Sequence, residues 1–258
     1  MISEDDMSAV PGDGKSDWYN FGLWSRQACD FPKAAKELAH KLALLGELQY
    51  CPHLLDIGPG YGAQLSLWRS SFQVEKITAI EPNPAAWERA KTYATPETVV
   101  LCNRLQDFTP DKPVHSVIAV DSCYHIPYNE FWDKIKNLSG LSQVVLSDFF
   151  LLKPPASFLD VTLLKLVGGS AKIPFKNFRT KDQYLDSVSF KAHTWQDVSE
   201  QVIDGFCCFV KDRFVRLTWS QRFIKSEMLK VYITYLMLKK MRLRGLIGYA
   251  LILFKPDR

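Results

Sequence analysis

The six cysteines of this chain form no C-x-x-C pair and show no ligand spacing with histidine, so neither a zinc site nor a disulfide framework is expected. Cys29, Cys51, Cys102, Cys123, Cys207 and Cys208 read instead as thiols in a reducing compartment. The apolar run around Leu229 to Met237 is broken by Lys230 and flanked by Lys225, Glu227 and Lys239, too short and too charged for a transmembrane helix. No internal repeat is evident, and no recognisable nucleic-acid module accompanies the basic residues, so nucleic acid is not an expected partner. Neither sign of charge dominates, at +4 over 258 residues, but the balance is uneven. Lys211 to Arg244 holds ten Lys or Arg against Asp212 and Glu227, interleaved with Phe214, Trp219, Phe223, Tyr232 and Tyr235. That pattern fits the solvated face of an amphipathic helix, and also peripheral contact with a membrane surface or an anionic substrate. Met1 to Ser16 is acidic and rich in small polar residues, without the basic start and apolar core of a signal peptide, and reads as a disordered tail of a cytoplasmic protein.

The informative stretch is LLDIGPGYGAQ, Leu54 to Gln64. Leu54, Leu55 and Ile57 form a buried strand, Gly58, Gly60 and Gly62 a tight turn, and the residues after Ala63 a helix. Without Cβ atoms the turn lets a ligand lie against the backbone, and the first amides of the helix attract a carboxylate or phosphate. A second strand, Ile77 to Ile80, stops at Glu81, placed to accept hydrogen bonds from both hydroxyls of a ribose. Together these pieces predict an adenosine site.

Read as G-x-G-x-x-A, Gly58, Gly60 and Ala63 also fit a dinucleotide fingerprint, which keeps a nicotinamide or flavin enzyme as a rival. Three features argue against it: about fifty residues, with a helix over Phe31 to Gly46, precede the first strand; Pro59 stands between the glycines; and Glu81 is followed by Pro82-Asn83-Pro84 and a helix over Ala85 to Tyr93. In these features, residues 17 to 256 resemble class I S-adenosylmethionine-dependent methyltransferases. The segment Tyr19-Asn20-Phe21-Gly22-Leu23-Trp24 is similar to the lid of small-molecule members such as macrolide-sugar O-methyltransferases and sterol or prenyl-lipid C-methyltransferases.

The resemblance implies an α/β, Rossmann-like, seven-stranded mixed sheet in the order 3-2-1-4-5-7-6, with the last strand antiparallel. It implies one domain over 17–258, with a lid at 17–30 and cap elements at about 151–178 and 204–240. S-adenosyl-L-methionine is the implied cofactor, against Tyr19, Asp56, Gly58, Pro59, Gly60, Glu81, Pro82, Asn83, Leu105 and Asp121. The chain departs from the family at Arg104-Leu105, where an Asp-Ala pair is common. Leu105 is then expected to cover the adenine, with the polar contact open among Asn103, Gln106 and Asp107. The strand Val117 to Val120 ends in Asp121-Ser122-Cys123-Tyr124-His125, like the family's acceptor-facing motif. His125, with Tyr124, is thus the catalytic candidate, as a general base or merely as the cap of the next helix. A fifth strand, Gln143 to Leu146, is expected to release Phe149 and Phe150 as acceptor-pocket walls, with Trp24 facing the acceptor from the lid. The expected acceptor is a hydrophobic small molecule, methylated on oxygen in the first reading and on carbon or nitrogen in the second. A non-catalytic cofactor-binding protein is the remaining alternative, and no metal is expected.

Overall fold

A computed structural model describes residues 16–26, 30–171, 173–186, 190–216 and 226–256. Most of the acidic tail, Cys29, Trp219 and Phe223 lie outside the described residues. Helix α1 (Phe31–Leu45) starts where the Asp30 carboxylate accepts from Lys33 N–H at 2.9 Å, and Pro32 suits its first turn. Its stripe of Ala34, Leu38 and Leu42 is fully buried against the sheet side of the core.

The sheet follows as β1 (Leu54–Ile57), β2 (Ile77–Ile80), β3 (Thr98–Leu101), β4 (Ser116–Ala119), β5 (Gln143–Leu151), β6 (Lys191–Asp197) and β7 (Ile247–Lys255). The strands lie in the order β3-β2-β1-β4-β5-β7-β6, the first five parallel and β7 antiparallel to both its neighbours. β1, β2 and β4 are buried at every position, as strands covered on both faces must be. One face packs under α1 and α2 (Ala63–Ser70), with α3 (Pro84–Ala90) following β2. The other face packs under α4 (Tyr128–Ile135) and α6 (Lys181–Asp186). The cap is α5 (Phe158–Ala171), α7 (Gly205–Arg216) and α8 (Ser226–Leu243), with α7 entered through a turn of π-helix at Glu200–Asp204.

Two boundaries differ from the sequence reading. The helix expected over Ala85 to Tyr93 is α3 followed by a 3-10 turn, Lys91–Tyr93. More consequentially, β5 does not stop at Leu146. It continues five residues further because β7 pairs with it all the way, Ser147 opposite Leu251 and Leu151 opposite Ile247. The polar residues that mimic a strand end are held inside the fold: Ser147 Oγ accepts from Asp121 N–H at 3.1 Å, and Asp148 Oδ2 accepts from Tyr184 O–H at 3.0 Å.

Candidate active site

The glycine turn owes its shape to close neighbours on three sides. Gly58, Gly60 and Gly62 have φ of +71°, +60° and +95°. A Cβ at Gly58 would lie 2.6 Å from Ser122 Cβ, one at Gly60 3.2 Å from Tyr19 Cβ, and one at Gly62 2.8 Å from Ala90 Cα. The turn is therefore pressed between the end of β4, the N-terminal lid and the end of α3, and only glycine satisfies both the backbone and the space. Glu81, at the end of β2, accepts from Gly60 N–H at 3.0 Å and from Asn83 N–H at 2.9 Å. Its carboxylate is buried, and burial lifts its pKa above the ordinary value, opposed by the two amides. Each carboxylate oxygen keeps a second lone pair beyond these two bonds. Asn83 caps α3 through Ala85 N–H, and Pro82 beside it is exposed.

The lid is fastened at three points. Asp17 accepts from the Arg89 guanidinium and from Tyr93 O–H at 2.6 Å, and burial and that carboxylate push the Tyr93 phenol up to about 12. The Arg89 guanidinium also lies 4.1 Å from the centre of the Tyr61 ring, which packs on Tyr19 at 5.3 Å. Further along, Phe21 N–H donates to Asp121 Oδ2 at 2.6 Å. Finally, the Trp24 ring stacks on Phe209 of α7 at 4.4 Å, its indole N–H donates to Phe21 O at 2.8 Å, and its backbone N–H donates to Gln201 O at 3.0 Å. Tyr19 is thus carried over the glycine turn with 55% of its surface exposed.

Beyond β4, Asp121 adopts φ +53° and is buried. It accepts from Tyr249 O–H of β7 as well as from the lid. Burial raises its carboxyl to about 6, opposed by those two donors. The next residues form a 3-10 turn, Cys123–His125, in which Tyr124 is buried and His125 exposed, their rings 4.5 Å apart. Burial, reinforced by the charges of Asp121 and Asp148, drives the Tyr124 phenol far above its usual range, so it can donate a hydrogen bond but not serve as a base. Phe149 completes a wall of aromatic rings, 5.5 Å from Tyr124, 5.2 Å from Phe21 and 5.0 Å from Tyr249.

No protein-family model matches this chain, and no curated protein matches it in sequence. Solved structures do match. The cyclopropane synthase MmaA2 from Mycobacterium tuberculosis is 18% identical, with a TM-score of 0.70 over 92% of this chain and 90% of that one. The mycolic acid cyclopropane synthase CmaA1, solved with SAH and CTAB, is 17% identical, with a TM-score of 0.73 over 98% and 94%. Geranyl diphosphate C-methyltransferase from Streptomyces coelicolor A3(2), solved with Mg2+, a geranyl-S-thiolodiphosphate and S-adenosyl-L-homocysteine, is 13% identical, with a TM-score of 0.70 over 93% and 88%. The chain has the class I methyltransferase fold.

Within this methyltransferase fold the structure brings Tyr19, Gly58, Pro59, Gly60, Glu81 and Asn83 together, and Tyr124, His125 and Phe149 beside Asp121 at the neighbouring strand ends. Four of the expected site residues stand apart from this group. Asp56 does not open onto the turn: it is fully buried, accepts from Gln64 Nε2 at 2.9 Å and Trp68 Nε1 at 2.7 Å, and fixes α2 to β1. Burial raises its carboxyl to about 7 against those bonds, with the Glu81 charge adding to the rise. Phe150, one residue from Phe149 on a strand, necessarily faces the opposite side of the sheet and packs on Trp195 at 5.2 Å. Trp24 packs into the cap against Phe209, and Leu105 is a buried side chain of the core cluster that includes Ile57 and Ile80. Around Leu105, Asp107 pairs with Arg104 at 2.9 Å and Gln106 with Glu130 at 2.8 Å. In the basic aromatic stretch, Phe214 stacks on Tyr232 at 3.7 Å, both half-buried, and Tyr235 is buried.

Sequence reasoning missed Asp17, Tyr61, Arg89 and Tyr93, which latch the lid, and Gly205 and Tyr249, which receive it. A Cβ at Gly205 would lie 2.4 Å from Trp24 Cβ. The π-turn immediately before Gly205, an unusual helix start, is a structural mark with no local sequence signature. A cavity of about 490 Å³ lined by Lys176, Phe178, Arg179, Gln183 and Asp186 lies beside α6 and includes none of the candidate residues. Among the described residues no cluster of His, Cys, Asp or Glu could hold a metal ion, and no helix is long and apolar enough to cross a membrane.

Proposed function

We propose that the chain binds S-adenosyl-L-methionine and transfers its methyl group to a hydrophobic small molecule. The observation that carries this reading is the Glu81 carboxylate held 3.0 Å from the Gly60 amide, at the end of β2, beneath the Tyr19 lid. The donor set fits the cofactor: a Cβ-free turn for its amino-acid part, Glu81 with lone pairs to spare for the ribose, and Tyr19 with the aromatic wall toward the sulfonium. When bound, the cofactor supplies an electrophilic methyl group. Tyr19 lying against a sulfonium contributes about 0.5 to 2 kcal/mol by cation–π attraction. Phe21, Tyr124 and Phe149 exclude water and align the acceptor, and alignment of this kind accounts for up to about 7 to 11 kcal/mol of a barrier. Asp121, by holding Phe21 N–H and Tyr249 O–H together, fixes the wall from behind.

An acceptor oxygen is the first reading because the His125 imidazole, a group suited to general-base work, stands exposed on the turn after β4. The aromatic wall supports carbon as the second, since ring faces stabilise positive charge developing on an alkene. Incubation with methyl-labelled cofactor and a panel of hydrophobic alcohols and prenyl compounds tests both. His125→Ala lowers turnover of an oxygen acceptor by about 10² to 10⁴ and leaves a carbon acceptor nearly unaffected. Failure of the whole panel despite bound cofactor would leave a cofactor-binding protein without this activity.

A further inference from the structure

We infer that the surface formed by the start of α5, the end of α8 and the loop after β5 docks on an anionic membrane surface. Phe158 is 88% exposed and Leu243 79%. The structure brings them to one place. Arg244 Nε donates to Asp160 Oδ1 at 2.6 Å and its Nη2 to Ser157 Oγ at 3.2 Å, so the residue after Leu243 grips those on either side of Phe158. Leu152 N–H donates to Leu246 O at 3.0 Å, which adds the exposed Leu152. Leu159 and Leu236, both exposed, extend the patch along the two packed helices.

These tips stand on a built corner. Ser157 and Asp160 cap α5 reciprocally, Asp160 N–H to Ser157 Oγ at 3.2 Å and Ser157 N–H to Asp160 Oδ2 at 3.1 Å. The hydrogen bonds and charge of Arg244 hold the Asp160 carboxyl down at about 2, so the corner stays ionised and closed at any physiological pH. A group of large apolar side chains kept in water on a fixed corner marks an interaction surface.

Charge decides the partner. Residues 152–171 and 226–246 carry seven Lys or Arg against Asp160 and Glu227. Arg244 answers Asp160 and Arg242 pairs with Asp204 at 2.8 Å, while Lys153, Lys165, Lys239 and Lys240 stand exposed on the same segments as the apolar tips. A second copy of the chain would bring like charges together in a two-fold contact. A layer with acyl chains below and anionic headgroups above takes both the apolar tips and the lysines. The patch also lies at the carboxyl ends of the parallel strands, since β5 ends and β7 begins there, and this is the edge that carries the glycine turn.

The inference goes beyond methyl transfer, and vesicle binding is read without turnover, so its failure and the failure of cofactor binding are separate results. The test is co-sedimentation of the full chain with phosphatidylcholine vesicles, with and without phosphatidylserine, alongside light scattering. The chain is expected to sediment with the anionic vesicles and far less with the neutral ones. Phe158→Asp with Leu243→Asp, both at exposed positions, lowers the partition by about tenfold or more for each side chain. Lys153→Gln with Lys240→Gln lowers anionic-vesicle binding by about fivefold per charge and leaves neutral-vesicle binding unchanged. The proposal is overturned by no sedimentation with either vesicle, by sedimentation indifferent to both double variants, or by a dimer that Phe158→Asp with Leu243→Asp converts to a monomer.

Discussion

Replacing Gly58 by alanine tests how tightly the glycine turn is pressed against the end of β4. At φ +71° an alanine pays about 1 to 2 kcal/mol for left-handed backbone. Its Cβ would also arrive 2.6 Å from Ser122 Cβ, well inside contact distance, and overpacking of this kind costs about 1 to 3 kcal/mol more. Gly58→Ala is therefore expected to lose about 2 to 5 kcal/mol in urea unfolding and to weaken binding of S-adenosylhomocysteine. Ser122→Gly removes the colliding atom, at the cost of the Oγ–H bond to Ile57 O, about 0.5 to 1.5 kcal/mol. The double variant should then lose less than the sum of the two single changes, by about the overpacking share of 1 to 3 kcal/mol. Unfolding curves and affinities for the four proteins complete the cycle. A loss below about 0.5 kcal/mol for Gly58→Ala, or simple additivity in the double variant, refutes the reasoning.

Gly205→Ala should push Trp24 off α7, costing about 1 to 3 kcal/mol and speeding amide exchange at Trp24, while Ala at the exposed Leu236 changes neither. Burial lifts Asp148 to about 7, with its bond from Tyr184 opposing the rise. Because the folded state binds a proton that the unfolded chain releases above about pH 4, this group's contribution to stability falls as pH rises from about 4 to 7 and is level above. Asp148→Asn keeps an acceptor for Tyr184 and removes that decline, so the variant gains on the parent by at most about 4 kcal/mol across the same window. Parallel stability profiles for the two proteins would contradict the assignment.

Much of this molecule could be read from local pattern. Three glycines in five residues after an apolar strand, and a carboxylate closing the next strand, are signals within single units, and the sheet order followed from the resemblance they carry. What pattern concealed was long-range pairing. Ser147 and Asp148 look like a strand end until β7, a hundred residues later, hydrogen-bonds the strand past them. Once the strand continues, alternation decides that Phe149 joins the aromatic wall and Phe150 does not. Asp56 sits in a motif that suggests a ligand, yet Gln64 and Trp68, one and two helical turns along α2, occupy its oxygens. The lid latch joins Asp17 to Arg89 and Tyr93, more than seventy residues away, and no periodicity announces it.

Calorimetric titration with S-adenosylhomocysteine, on the parent chain and on Glu81→Gln, tests the central claim most directly. The parent should bind, and the variant should bind at least about tenfold more weakly, because one carboxylate oxygen that accepts becomes an amide that cannot. Unfolding of each free protein, run in parallel, separates lost ligand contact from a loosened turn, since Glu81 also holds Gly60 and Asn83. No heat from the parent, or equal affinity in a Glu81→Gln variant of unchanged stability, would contradict the account.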